Sequence, residues 1–219
     1  MAVGKTYLTL VNDVLSRLRE SEVTSVSDNT YSSLIGRFVN EAKREVEDAW
    51  NWNRLRNTIT VDTVADSFNY TLTSSQKRFR FIDAFNDTQD IEMRLTGMNT
   101  LNQRFYLGTT QTGAPQEFGF NGHDSAGDAK VDVYPVPDQV YSLRFNLIIP
   151  QADLSADTDE IIMNEFPIIL GAYAKAIFER GEDGGVSTNE AYQIYNVALN
   201  DAISQDAALA QDELVYQAV

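Results

Sequence analysis

The 219-residue sequence contains no cysteine and a single histidine, and both scarcities narrow its possible chemistry. Without cysteine the chain can form no disulfide, and it has no thiolate nucleophile and no cysteine-based zinc site. No apolar run reaches the length of about 18 residues that a membrane-spanning helix needs. The first residues, Met-Ala-Val-Gly-Lys-Thr, lack the basic and then apolar order of a signal peptide. We therefore expect a protein that is made in a cytoplasm and does not span a membrane.

Motifs of catalysis and cofactor binding are also missing. His123 lies in a glycine-rich stretch, 119–127, where Asp124 and Ser125 are too close along the chain for a Ser-His-Asp triad, so we interpret it as a surface loop residue. The stretch lacks the Gly-Lys-Ser/Thr ending of a phosphate loop. The acids within 153–160 do not have EF-hand spacing, and we interpret them as charges near a helix start. We expect no enzyme, cofactor or metal site, although a carboxylate pair of the glycosidase type stays open in so acidic a chain.

Basic residues are scarce in the last third of the chain, which carries most of the net charge of −15. Residues 1–56 hold eight basic and eight acidic side chains, whereas residues 151–219 hold two basic and thirteen acidic ones. Such an acidic block repels nucleic acid phosphates, so a DNA-binding domain is disfavoured. A solvated helical face that keeps the protein soluble is the simplest interpretation.

The first part of the chain has the apolar spacing of two amphipathic helices. One short helix is predicted over residues 7–19. A longer helix of roughly six turns begins near residues 27–29, whose hydroxyl and carboxamide side chains can cap its first turn, and ends at a tryptophan pair. Trp50 and Trp52 cannot both lie on one narrow stripe, so we expect one in the core and the other at a corner or an interface.

From residue 57 the apolar pattern changes to the period of two that is typical of strands. Residues 58–64 and 68–72 alternate around a plausible turn and together predict a β-hairpin. A short helix is predicted within residues 97–108. Further strands are predicted at 79–85, 90–95, 116–120, 130–134 and 140–149.

Helical spacing returns after a polar connector. One helix is predicted to begin near Glu165, with Pro167 in its first turn, and to end at Gly181. The sequence from Ser187 to Glu190 is a capping box that opens a last helix. The order predicts an α+β fold, with a bundle of about four helices formed by residues 1–56 and 158–219. A mostly antiparallel β domain is inserted at 57–157, and residues 212–219 form a flexible C-terminal tail.

Three stretches together resemble the head-to-tail adaptor proteins of tailed bacteriophages, the tail tubular A-like family. They are residues 10–23, which begin with Leu-Val-Asn-Asp-Val-Leu and run from the first helix into its connection, the tryptophan corner at 49–52 and the helix at 164–180. The resemblance implies a structural virion protein at the head–tail junction, the neck, that is not an enzyme. It implies a ring, typically of twelve copies, docked beneath the portal protein and bound to a tail or nozzle protein. Double-stranded DNA would pass through the continued channel without specific binding.

Three sets of residues follow as candidates for this role. The C-terminal tail offers apolar anchors for the portal: Leu214, Val215 and Tyr216. Because repelling carboxylates would oppose ring assembly, the neutral first region is placed nearer the subunit interface, with Arg17, Arg37, Arg44 and Trp52. The acidic third is placed on a face toward the channel or solvent, with Glu182, Asp183, Asp201 and Asp206.

Two other functions stay open on the sequence alone. An acidic tail or surface module could use its β-sandwich to recognise a glycan or another virion protein, and a hydrolase could use a pair of carboxylates. Size measurement with a portal or tail partner distinguishes the ring protein from both, whereas glycan binding or turnover would identify one of the others.

Overall fold

The computed structural model describes residues 4–181 and 188–209, and the chain divides into two compact units. The helical unit is formed by Met1–Leu55 together with Gln151–Val219, and the β unit is formed by Arg56–Pro150. The expected α+β class is confirmed, with terminal helices that pack together and an inserted region that is mostly antiparallel sheet. The described residues form five α-helices: α1 (Tyr7–Arg17), α2 (Thr30–Ala49), α3 (Met98–Tyr106), α4 (Glu165–Arg180) and α5 (Thr188–Ala207).

The long helix α2 begins at a capping box built from Asn29 and Ser32. The Asn29 side-chain oxygen accepts a hydrogen bond from the Ser32 backbone N–H at 2.7 Å, and the Ser32 hydroxyl accepts one from the Asn29 backbone N–H at 3.2 Å. Both bonds satisfy N–H groups that have no partner within the helix. The side chains that α2 buries recur at helical spacing, as predicted: Ile35, Val39, Ala42 and Val46.

The C-terminal helices pack closely on α2 because α4 is rich in small residues. Asn164 caps α4, and Pro167 lies in its first turn, as predicted. A methyl group added at Gly171 would lie 3.1 Å from both Ala42 and Tyr195, so glycine allows α2, α4 and α5 to approach one another. The predicted capping residue of α5, Ser187, lies outside the described residues.

The β unit consists of two four-stranded sheets, ordered β1-β8-β3-β4 and β2-β7-β6-β5. Apolar residues of both sheets share one buried core, in which the Phe118 and Phe145 rings lie 5.3 Å apart. The strands are β1 (Arg56–Asp62), β2 (Asn69–Leu72), β3 (Arg80–Asn86), β4 (Ile91–Glu92), β5 (Arg94–Leu95), β6 (Glu117–His123), β7 (Ala129–Tyr134) and β8 (Ser142–Ile148).

The predicted hairpin between the first two strands is wrong. β1 pairs with β8, and β2 pairs with β7 in the other sheet. The chain leaves the first sheet after Asp62, where the Thr63 N–H donates to the Tyr141 carbonyl and the Asp66 N–H to the Pro137 carbonyl. The turn therefore passes from one sheet to the other, and each strand places its apolar face on the shared core.

The segment 151–157, which the sequence analysis assigned to the β domain, packs on helix α2 instead. Asn40 donates to the Leu154 carbonyl at 2.9 Å and accepts from the Leu154 N–H at 2.9 Å. Asp157 accepts a hydrogen bond from the Val26 N–H at 3.0 Å. Because these bonds satisfy the backbone of a polar segment without a strand partner, the segment belongs to the helical unit.

Candidate assembly surfaces

The basic residues that the sequence placed at a subunit interface lie on the surface of the helical unit. Arg17 and Arg37 are exposed, and neither forms an ion pair with a residue in the described ranges 4–181 and 188–209. Arg44 is half-exposed and pairs with Asp153 of the same unit. Two cationic side chains are thus available to an external partner, while Arg44 is already neutralised within its own chain.

The tryptophan pair is divided between the core and the surface, and the assignment of Trp52 to an interface is wrong. Trp52 is only 3% exposed, and its indole N–H donates to the Val46 carbonyl at 2.7 Å. Trp50 is 37% exposed. Trp52 thus closes the corner after α2, so Trp50 is the member of the pair that a neighbouring molecule can contact.

The acidic residues of the last helix have two different roles. Asp201 is exposed on α5, as expected. Asp206 is only 7% exposed, so its placement on a channel or solvent face is wrong: its Oδ2 atom accepts from the Asn53 backbone N–H at 3.1 Å and from the Asn53 side-chain amide at 3.3 Å. This carboxylate fastens the last turn of α5 to the corner after Trp52. Glu182 and Asp183 lie outside the described residues.

The acids within 153–160 do not act at a helix start: Asp153 pairs with Arg44, Asp157 accepts from the Val26 N–H, and Asp159 caps a turn. Asp159 accepts hydrogen bonds from the Ser155 and Ala156 N–H groups at 2.7 and 2.8 Å, and these bonds lower the pKa of the Asp159 carboxyl. Helix α4 begins only at residue 165, too far along the chain for these acids to act on its first turn.

The helical unit contains a buried ion pair that was not predicted from the sequence. Lys43 and Glu47 are four residues apart on α2, and both side chains are fully buried at an Nζ–Oε1 distance of 2.9 Å. Lys43 also donates to the Gln151 carbonyl at 2.7 Å, and Glu47 accepts from the Gln151 N–H at 3.1 Å. The i,i+4 spacing of opposite charges could have indicated the pair, but not its burial.

The proposed portal anchors Leu214, Val215 and Tyr216 lie outside the described residues. The described chain ends at Leu209, which is 71% exposed and lies at the rim of a cavity of about 150 Å³. Trp52, Met163 and Asp206 line the same cavity.

Apolar side chains are also exposed on the outer surface of the helical unit. On α5, Ile194 is 50% exposed and Val197 is 61% exposed, and they lie one turn apart. On α4, Phe166 is 51% exposed and Phe178 is 70% exposed. Phe166 and Ile194 belong to the predicted apolar faces, whereas Phe178 and Val197 do not, and the sequence could not show that the unit leaves any of the four uncovered.

No metal-binding cluster of three or more histidine or acidic residues is found in the part of the chain that the structure describes. His123 is exposed at the end of β6, with its ring 6.2 Å from that of Phe79. None of the described helices is long and apolar enough to cross a membrane.

The helical unit thus exposes to other molecules apolar side chains and two basic side chains, Arg17 and Arg37, that are unpaired within the described residues. Residues 5–217 match the model of a family described as SU10 adaptor protein. The chain belongs to the SU10 adaptor protein family and is a phage head–tail adaptor, a non-enzymatic component of the virion. The resemblance noted in the sequence is thereby confirmed. A search of curated proteins gives no match.

Proposed function

We propose that copies of this adaptor form a closed ring beneath the portal, which extends the DNA channel toward the tail and provides a docking surface for the tail or nozzle protein. The apolar side chains exposed on α4 and α5 carry the proposal: Phe166, Phe178, Ile194 and Val197 are each at least half exposed. Neighbouring exposed apolar side chains are a mark of association sites, and Ile194 and Val197 lie one turn apart on α5.

The ring closes through heterologous contacts, in which two different surfaces of adjacent copies meet. Such contacts either close into a ring or continue as a filament. Copies pack helix to helix, with Arg17 and Arg37 near the contact because no acid in the described part of the helical unit neutralises them. The family resemblance implies twelve copies, a number that is compatible with a closed ring.

The C-terminal tail docks on the portal through Leu214, Val215 and Tyr216, while Glu182, Asp183 and Asp201 face the channel or solvent. Carboxylates on the channel wall repel DNA phosphates, so that DNA passes without binding. In this position the carboxylates also lie away from the contacts between copies, where salt would screen their mutual repulsion least.

The test is co-assembly with the portal protein. When purified chain and portal are mixed, light scattering after gel filtration should give one complex whose mass corresponds to a portal ring plus a whole ring of adaptors. Binding of single adaptor copies without a ring, or no binding, would contradict the proposal. Binding of the free chain to a glycan array would favour the alternative surface module.

A further inference from the structure

The β unit has two ends, which the paired strands β1 and β8 define. Arg56 and Ile148, through which the chain enters and leaves these strands, are paired with each other at one end. Asp62 ends β1 at the other end. Two connections between the sheets lie there: 63–68 leads from β1 to β2, and 135–141 leads from β7 to β8. This second end is therefore remote from the entry and exit of the chain.

Hydrogen bonds join the loops of this second end. The buried Thr63 hydroxyl donates to the Gln139 carbonyl at 3.0 Å and accepts from the Tyr141 N–H at 2.8 Å. A third segment, which follows α3, is joined to them where the Gly113 N–H donates to the Val136 carbonyl at 2.9 Å. Because the loops satisfy one another's backbone groups, they form one surface. We call it the loop surface and define it as residues 62–68, 106–113 and 135–141.

Two valines form an exposed apolar pair on the loop surface. Val64 is 62% exposed and Val140 is 63% exposed. The register of β1 and β8 continues through the Thr63 N–H, which donates to the Tyr141 carbonyl at 2.9 Å, and it places the two valines opposite each other. The Tyr70 hydroxyl accepts the Val64 N–H at 3.0 Å, so the backbone that bears this valine is held in place.

The end of α3 adds two larger exposed side chains to the loop surface. Tyr106 is 70% exposed and Leu107 is 82% exposed. The preceding residue, Phe105, anchors this end of the helix: its ring stacks on that of Phe68 at 4.3 Å and meets that of Tyr134 edge-on at 5.7 Å. Large side chains presented on a packed base are typical anchors of protein interfaces.

The formal charges of the loop surface are all negative. Its three segments contain no lysine or arginine and carry three acids: Asp62, Asp66 and Asp138. Asp62 and Asp66 are exposed, and their carboxylates have no ion-pair or hydrogen-bond partner in the part of the chain that the structure describes. Two carboxylates are thus available to cations of another molecule.

The arginines close to the loop surface face other acids of the β unit. Arg104 is paired with Glu117 at 2.6 Å, and Arg144 is paired with Asp87 at 2.8 Å. Arg94 lies across from Glu117 in the register of β5 and β6. Because each of these three cations has a carboxylate beside it, the acids of the loop surface keep their negative field.

We propose that the loop surface is the part of the adaptor on which the tail or nozzle protein docks, and that this partner presents basic side chains around an apolar recess. The inference rests on the proposed function, which includes a docking surface for that protein, and it adds the place of the surface and the chemistry of the partner. Val64, Val140 and Leu107 enter the recess. Asp62 and Asp66 pair with the cations around it.

Charge complementarity favours a basic partner over a second copy of this chain. Two loop surfaces carry charges of the same sign and repel each other. The proposed function places Arg17 and Arg37 at the contact between helices of adjacent copies, and it assigns the portal contact to the C-terminal tail. A second copy and the portal are therefore the competing occupants that the experiment has to distinguish.

Binding of the purified tail or nozzle protein to adaptor rings preassembled on the portal tests the docking. Val64→Ser with Val140→Ser removes apolar anchors and should weaken binding at least about tenfold, mainly through faster dissociation. Asp62→Asn with Asp66→Asn should slow association about tenfold at low salt and remove most of its dependence on salt. Both double variants should assemble on the portal and melt like the natural chain, because all four side chains are exposed.

A matched variant controls for the loss of charge. Asp201→Asn with Glu22→Gln also removes two exposed carboxylates, but from the helical unit. It should leave the association rate and its salt dependence unchanged. A loss equal to that of Asp62→Asn with Asp66→Asn would show that net charge, and not the loop surface, determines binding, and would overturn the proposal.

Crosslinking identifies the occupant, because the natural chain has no cysteine. Val140→Cys is labelled with a short photocrosslinker, assembled with the portal and the tail or nozzle protein, and irradiated. The expected result is a crosslink to the tail or nozzle protein, at a site that mass spectrometry places beside lysine or arginine. A crosslink to the portal or to a second adaptor, or no crosslink in a complex that contains the tail or nozzle protein, would overturn the proposal.

The failure of this inference differs from a failure of the proposed function. Binding of both double variants at the natural strength would overturn the docking on the loop surface and leave the ring intact. Failure of the natural chain to form a ring on the portal, or of the natural ring to bind the tail or nozzle protein, would contradict the proposed function itself.

Discussion

Lys43 and Glu47 form an ion pair inside the helical unit, with both side chains fully buried and their charged atoms 2.9 Å apart. The pair also holds both backbone groups of Gln151, where the chain re-enters the helical unit from the β unit. Removal of one partner leaves a buried charge without compensation, so Lys43→Met should lower the free energy of unfolding by about 3–5 kcal/mol.

Urea denaturation measures this loss, and two variants serve as controls. Lys43→Met with Glu47→Leu should recover part of the stability, because no lone charge remains buried. Lys5→Met, which removes the partly exposed partner of Asp13, should cost no more than about 1 kcal/mol. Equal effects of the buried and exposed substitutions would contradict this account of the buried pair.

Asp206 and Asp201 should respond differently to the same substitution. Asp206→Ala leaves the Asn53 N–H without its buried acceptor and should cost about 1–3 kcal/mol. Asp201→Ala removes an exposed carboxylate of the same helix and should change stability by less than about 0.5 kcal/mol. Thermal unfolding of the two variants provides the comparison. If Asp206→Ala is as stable as Asp201→Ala, Asp206 does not fasten α5.

Glu117 should make stability depend on pH in the acid range. The hydrogen bond from Arg104 and, to a smaller extent, the hydrogen bond from Thr96 lower the pKa of Glu117 below its ordinary value of 4.5. A lowered folded pKa gives a stabilisation that is present above the unfolded pKa and is lost as pH falls through the folded one. The difference in unfolding free energy between the natural chain and Glu117→Gln should therefore shrink from about pH 6 to about pH 3. A difference that stays constant across this range would contradict the pairing.

Deletion of residues 212–219 should abolish docking on the portal while the melting temperature stays unchanged. The apolar anchors Leu214, Val215 and Tyr216 are lost, whereas the described helical core stays complete. Gel filtration with the portal measures docking. Replacement of the three anchors by serine in the full-length chain should abolish docking in the same way, because it removes the anchors and keeps the length of the chain. Unchanged docking after the deletion would refute the role of the tail.

Asp201→Lys should leave ring assembly nearly unchanged and slow the ejection of DNA. A cation on the channel wall attracts passing phosphates, whereas a carboxylate repels them. Ejection from assembled particles can be followed by the fluorescence of a dye that binds released DNA. Failed assembly together with normal ejection from the surviving particles would show that Asp201 lies at a protein contact.

Element positions could be predicted from the sequence, because each depends on a local pattern. The strand β8 (142–148) was predicted at 140–149 from alternation alone, and α4 was predicted to begin at Glu165 from its proline and its apolar spacing. Strand pairing was not predictable in this way. The short turn after Asp62 suggested a hairpin, but the partner of β1 lies about 85 residues further along the chain, and local propensity carries no signal of it.

The candidate surfaces were predicted less well, since exposure depends on packing that the sequence does not show. Trp52 and Asp206 have the residue types of an interface and an acidic face, yet both are buried and contribute to the same corner of the helical unit. Asp201, only five residues from Asp206, is exposed as expected. The two residues lie on different faces of α5. Which face is buried depends on the elements that pack against the helix, and the sequence does not show them.

Single-particle imaging of the virion neck tests the central claim most directly. The account predicts a closed ring of this chain between portal and tail, with helices of adjacent copies in contact near Arg17 and Arg37 and the channel continuous through its centre. Density for the chain outside the head–tail junction, or at the junction as isolated copies without mutual contact, would contradict it.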